Sequence, residues 1–369
     1  MPTFTKLLAA ASVIALATAG TATAKDVYKD KRLTVLINYS AGGPTDIEAR
    51  LFARHIGRVI AGKPQVISKN MAGAGGTVAT NYLGAKARKD GYTMGYFTAL
   101  ASTQAFKPLK DRGVKVDPAS FGLIATASGS SYAYMRTDVA PGIKKPEDIM
   151  KTKGFTLLGL RPQSSLDLRE RIVLDMLGLK YKYVTGYRGT SKARVAILQG
   201  EGDYLTESQP SFRAKVVPTL IKTGQAIGLF YYPFDDGTRV WSPPDLGKNL
   251  DMMPFDKFYT KVTGKKPEAA GMLWTAFREI NRASSMAQRS IILPPGSPRA
   301  HRDALRAAVT RLKSDKVFRA DALKSVNFVP DFTVGAAAER ILAASTKLSP
   351  PVLKFLDGYL KKVTGKKTN

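Results

Sequence analysis

The sequence predicts an α/β fold with mostly parallel strands, and three observations carry that prediction. Short apolar runs alternate with stretches of helical periodicity along most of the chain after residue 25. Turns rich in Gly, Ser and Thr separate the apolar runs from the helical patterns, as at 40–46, 73–77 and 186–190. The chain is 44% hydrophobic and 23% charged, which is the balance of a globular protein and excludes disordered or collagen-like readings.

The elements follow in order. Lys6, the apolar stretch 7–17 and the small-x-small run Ala22-Thr23-Ala24 have the parts of a secretory signal cut after Ala24. A retained anchor is disfavoured, because the apolar core falls short of the roughly 20 residues that a membrane span needs. The expectation is export to a periplasm, away from chromosomal DNA. Residues 33–39 read as a buried strand, followed by a helix with Ile47, Leu51, His55 or Ile56, and Val59 on one face. Pro44 suits the first turn of that helix, and Asp46 and Glu48 complement its positive end. A strand at 65–68, a flexible turn at 73–76, a helix at 77–88 and a strand at 92–98 come next. Further strands are predicted at 121–127, 155–159, 181–184, 203–206 and 226–232, with helices at 166–177, 191–199 and 210–222. Residues 233–270 are rich in Pro, Gly, Asp and Lys. Helices at 272–286 and 298–313 flank a separator at 291–296, and the basic end 361–369 is expected to fray.

The net charge of +28, from 57 Lys+Arg against 29 Asp+Glu, favours an anionic partner: nucleic acid, a membrane surface or a small anion. The absence of cysteine excludes disulfides, a thiolate nucleophile and cysteine-ligated metals. With only His55 and His301, a histidine-rich metal site is not expected. The Gly42-Gly43 turn lacks the Lys-Ser/Thr of a P-loop, no Gly-x-Gly-x-x-Gly opens a helix, and there is no Gly-x-Ser-x-Gly elbow. Asp46, Asp167 and Asp203 either supply a carboxylate pair or, for the first two, serve helix first turns.

In an open α/β sheet, ligands gather where strand-end loops converge. The loops 40–46, 73–77, 98–103, 161–165 and 186–190 are rich in Gly, Ser, Thr or Arg. Glycine lets a backbone approach a ligand, and helix N-termini favour anions, so the set suits a carboxylate.

These motifs, taken in order, carry a family resemblance. Tyr39-Ser40-Ala41-Gly42-Gly43-Pro44-Thr45-Asp46 with Ala49-Arg50, then Asn70-Met71-Ala72-Gly73-Ala74-Gly75-Gly76, then Asp90-Gly91-Tyr92-Thr93, resemble the solute receptors of tripartite tricarboxylate transporters. Tyr187-Arg188-Gly189, the Gly200 to Asp203 spacing and Pro294-Pro295-Gly296-Ser297-Pro298 continue the likeness. The resemblance covers most of the chain and is weakest over 233–290. It implies a two-lobed periplasmic-binding-protein fold (type II, Venus-flytrap) with a ligand cleft between the lobes. The first lobe would take 25–125 and 226–369, and the second 126–225.

The resemblance also implies a periplasmic receptor that passes a small organic carboxylate to membrane permease subunits, as a monomer, with no catalysis, cofactor, metal or nucleic acid. The ligand-binding positions it implies are Tyr39, Ser40, Ala41, Gly42, Gly43, Thr45, Asp46 and Thr98 on one side. On the other are Arg161, Ser164, Ser165, Tyr187, Arg188 and Asp203. Ala41 and Ala72 stand where the family has proline, and Arg161 and Gln163 where it often has glycine. Arg161 therefore either clamps a carboxylate or points to solvent. Dicarboxylates, aromatic acids and amino acids all satisfy the motif, and 233–290 is open as a lid, an oligomer contact or an enlarged first lobe. The rival readings are a secreted two-lobed enzyme using Asp46 and Asp203 as acid and base, and a polyanion-binding protein.

Overall fold

The computed structural model describes residues 26–98, 100, 113–243, 246–345 and 348–364. The predicted leader, most of the 98–103 loop and the last five residues of the basic C-terminal end lie outside the described residues. Two six-stranded sheets organise the chain.

The first sheet is built from β1 (Arg32–Ile37), α1 (Pro44–Val59), β2 (Gln65–Asn70), α2 (Thr77–Asn81), β3 (Thr93–Thr98) and β4 (Gly122–Ala127). The chain then passes to the second sheet. There it forms β5 (Ser131–Arg136), β6 (Phe155–Gly159), α3 (Ser165–Met176), β7 (Tyr181–Thr185), α4 (Thr190–Leu198), β8 (Tyr204–Ser208) and β9 (Ala226–Tyr231). The hairpin strands β10 (Phe234–Asp235) and β11 (Val240–Trp241) follow, then β12 (Met253–Pro254), α5 (Phe255–Thr263) and α6 (Met272–Met286). β13 (Arg289–Leu293), α7 (Arg299–Ser314), α8 (Lys316–Val326), β14 (Phe332–Val334) and α9 (Ala336–Ser345) return to the first sheet, and α10 (Pro350–Thr364) packs on the second.

The strand orders are β14-β4-β13-β3-β1-β2 and β12-β9-β5-β8-β6-β7. Both sheets are mixed, whereas the sequence predicted mostly parallel strands. β13 runs antiparallel to β3 and β4, and β5 antiparallel to β8 and β9. The reason is connectivity. β5 and β13 carry the chain into a lobe from the junction, so they must run opposite to strands such as β1, β3, β6 and β8, which end there.

Each sheet is buried on both faces, which explains its near-continuous apolar strands. In β1, Val35 and Ile37 join Phe52, Ile56 and Tyr96 on one face, while Leu36 joins Leu83 and Phe97 on the other. In β5, Ala133 and Met135 face Leu157 and Ile172, while Tyr132 and Tyr134 face Phe212 and Ala193.

The segment after 226 departs from the expected boundary. β9 and β12 belong to the second sheet. Phe255, Phe258, Trp274 and Phe277 pack around Phe230 and Tyr232 in that lobe's core. Residues 233–286 thus enlarge the second lobe, and the chain regains the first only at β13. Two helix expectations also change. The 77–88 helix gives way to wide turns at Tyr82–Lys86. The 210–222 helix is Gln209–Ser211 continued by the wide-turned Phe212–Ile221, which contains Pro218 and so lacks one backbone donor.

The crossing segments lie side by side. Gly129 N donates to Ser285 O at 2.9 Å, and Gln288 Nε2 to Ser130 O at 3.2 Å.

Candidate functional site

Between the sheets lies a cavity of about 80 Å³. A single water needs roughly 10–15 Å³ of such space, so there is room for several waters or a small organic acid. The N-termini of α1, α3 and α4 all open onto it, through Gly43-Pro44-Thr45, Ser164-Ser165-Leu166 and Gly189-Thr190-Ser191. Each brings the positive end of a helix dipole. Among the described residues no acidic side chain lines the cavity, while Arg161 and Arg169 both do.

The first-lobe wall follows from the turn after β1. Gly42 adopts φ +75° and donates its N–H to Asp46 Oδ2 at 2.9 Å, which curls 40–43 over the start of α1. Asp46 also receives Arg50 Nε at 2.8 Å and Asn70 Nδ2 at 2.9 Å. Its carboxylate is therefore spent on the turn. Thr45 Oγ1 meets Thr98 Oγ1 at 2.6 Å, and Asn38 brackets Thr98 by bonds to its N–H and carbonyl. Tyr39 donates its hydroxyl to Gly75 O at 3.2 Å, and burial raises its pKa, keeping it a donor.

On the second-lobe wall, Ser164 caps α3 by accepting from Asp167 N at 3.1 Å. Asp167 is fully buried and accepts from Leu160 N at 2.7 Å, Arg161 N at 3.1 Å and Tyr183 Oη at 2.6 Å, so it braces the 160–165 loop. Burial pushes its carboxyl above the ordinary range. The buried hydroxyls Thr190 Oγ1, Ser191 Oγ and Ser284 Oγ have no hydrogen-bond partner among the described residues, and all three residues line the cavity. Such groups are normally paired, which marks this wall as built for a polar ligand.

The lobes touch at the cavity rim. Arg161 Nη1 donates to Ala74 O at 3.0 Å, and Arg194 Nη2 to Gly42 O at 3.4 Å. A Cβ built on Gly43 would lie 3.8 Å from Ser191 Oγ, so the tips of α1 and α4 face each other.

Of the residues expected at the site, Tyr39, Ser40, Gly43, Thr45, Thr98, Arg161, Ser164 and Ser165 line this cavity. Six expected residues do not. Ala41 is exposed at the tip of the turn, and Gly42 and Asp46 form the turn's internal bracing. Tyr187 turns away to donate to Glu201 Oε2 at 3.2 Å, and Arg188 is exposed. Asp203 accepts from Thr156 N at 2.7 Å just before β8, whereas Ser208 at the other end of β8 lines the cavity. That strand separates the two by roughly 16 Å, at about 3.3 Å per residue. Asp46 and Asp203 therefore form no acid–base pair. Sequence reasoning missed Arg169, Ser191, Ser284 and Gln288, and reached Thr190 only as the last residue of the 186–190 loop.

No family model matches the chain. The chain is 32% identical over 195 residues to the UPF0065 protein of the TAR-I ttuE–ttuC′ intergenic region of Agrobacterium vitis, a stretch covering 49% of this chain and 52% of that protein. The match thus spans about half the length of that relative. The periplasmic binding protein BugD superposes with a TM-score of 0.62 at 20% identity, covering 92% of this chain and 99% of its own. MatC from Rhodopseudomonas palustris, solved with bound malate, superposes with a TM-score of 0.57 at 18% identity, covering 90% of this chain and 98% of its own. These neighbours show the two-lobed periplasmic-binding-protein fold.

Proposed function

We propose that this chain, which belongs to the substrate-binding (Bug) family of the tripartite tricarboxylate transporters, is a periplasmic receptor that captures a small organic carboxylate for a membrane permease. The observation that carries the reading is the cavity itself. Three helix N-termini, two arginines and three unpartnered hydroxyls converge on it, and no described acidic side chain does. A small anion is the solute that such a wall favours. The malate seated in MatC supports the carboxylate class by analogy.

The working cycle follows from the chain path. Among the described residues, the first lobe comprises those within 26–127 and 289–345 and the second those within 131–286 and 348–364; the chain crosses through 128–130 and 287–288, which lie beside each other, and a third time after 345. Ligand bridges the walls and shifts the population toward the state in which the lobes touch. The leader at 1–24 sends the protein out of the cytoplasm. No step makes or breaks a covalent bond.

Thermal unfolding against a panel of small carboxylates tests this. A ligand present at a hundred times its dissociation constant adds about 2.7 kcal/mol, a midpoint rise of roughly 5–10 °C. A rise with a chemical subset of acids, and none with the matching amides or sugars, is the expected result. A rise with polyanions alone would overturn the reading.

A further inference from the structure

Arg169 is 4% exposed, sits in the cavity wall, and has only neutral partners. Its Nε donates to Ser165 O at 3.1 Å, Nη1 to Asn281 Oδ1 at 2.9 Å, and Nη2 to Ser131 Oγ at 3.3 Å. The guanidinium carbon lies 4.9 Å from the centre of the Tyr232 ring. A guanidinium has five N–H groups, so two remain.

No ion pair among the described residues includes Arg169. Two other withdrawn arginines differ in this respect. Arg289 Nε lies 2.9 Å from Glu48 Oε2, and Arg194 is paired with Glu207. Arg171 also lacks an ion pair, but it lies between the Tyr183 and Tyr359 rings, outside the cavity lining. The carboxyl next along the chain, Glu170, is directed away to Thr206 N at 2.8 Å and forms no ion pair with Arg169. Burial lowers the Arg169 pKa only to about 10, which leaves it a cation at neutral pH. A buried charge with no ion-pair partner in contact is costly, and a neutral side chain would hold Ser165, Asn281 and Ser131 without that cost.

The position matters as much as the charge. Arg169 is fixed to α6 and to the start of β5, and it shares that part of the wall with Ser284, whose hydroxyl has no partner. The facing tips of α1 and α4 form a separate anion-attracting feature, built from other elements. We propose that Arg169 is a ligand-contacting, specificity-determining residue. Its guanidinium takes one carboxylate while the α1 and α4 tips take another, so the protein selects acids with two carboxylates over those with one. This rests on the receptor reading above.

The test is a cycle between protein and ligand. Succinate, malate, adipate and their monoamides are titrated calorimetrically into native protein, Arg169→Gln and Arg169→Lys. In native protein the monoamide is expected to bind about 30-fold or more weakly than its diacid, the scale for unpairing a buried charge. In Arg169→Gln that ratio collapses to within about threefold. Arg169→Lys, which keeps the charge without the fork, falls between. An unchanged ratio in both variants overturns the inference and leaves the receptor reading standing. Failure of every diacid to bind native protein overturns the inference, while the receptor reading is decided separately by the wider carboxylate panel above. If Arg169→Gln does not fold, the Arg169→Lys ratio and the native diacid-to-amide ratio decide, and a native ratio near one refutes the proposal.

Discussion

Arg161→Ala isolates the contact between the lobes. Its guanidinium crosses from the loop before α3 to Ala74 O, and it lies flat against Gly75, where a Cβ would sit 2.3 Å from Arg161 Cζ. Gly75 has φ +61°, so the close approach depends on glycine twice over, through space and through backbone conformation. A hydrogen bond to a charged group contributes about 1.5–3 kcal/mol when shielded, and the exposure of this one reduces it to about 1 kcal/mol. In the proposed cycle that energy belongs only to the touching state. Losing it lowers the touching population, and apparent affinity falls about fivefold with little change in overall stability. Calorimetric titration of native protein, Arg161→Ala, Gly75→Ala and the double variant measures this, alongside small-angle scattering of the ligand-free proteins. Gly75→Ala removes the same contact from the other side, so the double variant should bind no more weakly than Gly75→Ala alone. Native affinity in Arg161→Ala, or fully additive losses in the double variant, would refute the latch.

Ser191→Ala should weaken carboxylate binding about 10- to 100-fold, the scale of a hydrogen bond to an anion, because its buried hydroxyl has no partner among the described residues. The ligand-free melting temperature should stay within about 1 °C, and unchanged affinity would remove this hydroxyl from the ligand's contacts. Glu48→Ala strands Arg289, which is fully buried, and should cost about 3–5 kcal/mol in urea unfolding. A loss under 1 kcal/mol would show that the pair is not a buried charge balance. Asp148 accepts from Lys144 N at 3.0 Å, Lys145 N at 3.1 Å and Lys151 Nζ at 2.8 Å, and the Lys151 ammonium and these amides hold its pKa down at about 2. Its contribution is present above the ordinary aspartate range and is lost as pH falls through about 2. The stability gap between native and Asp148→Asn should therefore be full at neutral pH and close in acid; a gap independent of pH would contradict the linkage.

The sequence displayed those parts of the site in which local chemistry dictates local shape. The 40–46 turn needs a glycine at positive φ and an aspartate four residues on to bind its amide, and both are adjacent in sequence. The cap at Ser164 and Asp167 is equally local. Arg169 was not legible, because along α3 it reads as one more charged helical residue. Its burial is created by Ser131 and Asn281, which lie 38 and 112 residues away. Ser191 sits just past the 186–190 loop that drew attention, at the start of a helix whose direction toward the cavity is a tertiary fact. β5 and β13 were missed for a related reason. Ser131 and Arg289-Ser290 open these strands with polar residues that look like linker, and they are buried because they sit at the junction between lobes.

In the proposed cycle the facing helix tips couple ligand to closure. Each N-terminus carries roughly half a positive charge, so the tips of α1 and α4, taken as about 6 Å apart, repel by about 0.7 kcal/mol at an effective dielectric of 20. A carboxylate seated about 4 Å from each reverses the sign, gaining about 4 kcal/mol before its desolvation is counted. In that cycle ligand adds more to the touching state than the rim contacts do, and the smaller those contacts are, the more closure depends on a bound acid. They do stay small. Arg161 and Arg194 both end on backbone carbonyls across the cleft, while the glutamate that neutralises Arg194, Glu207, lies within its own lobe. Two carbonyl latches of about 1 kcal/mol each exceed the tip-to-tip repulsion, but together they are about half of what a seated carboxylate contributes. A carboxylate at Gly42 or Ala74 would instead form a cross-lobe ion pair that holds the protein shut whether or not an acid is bound.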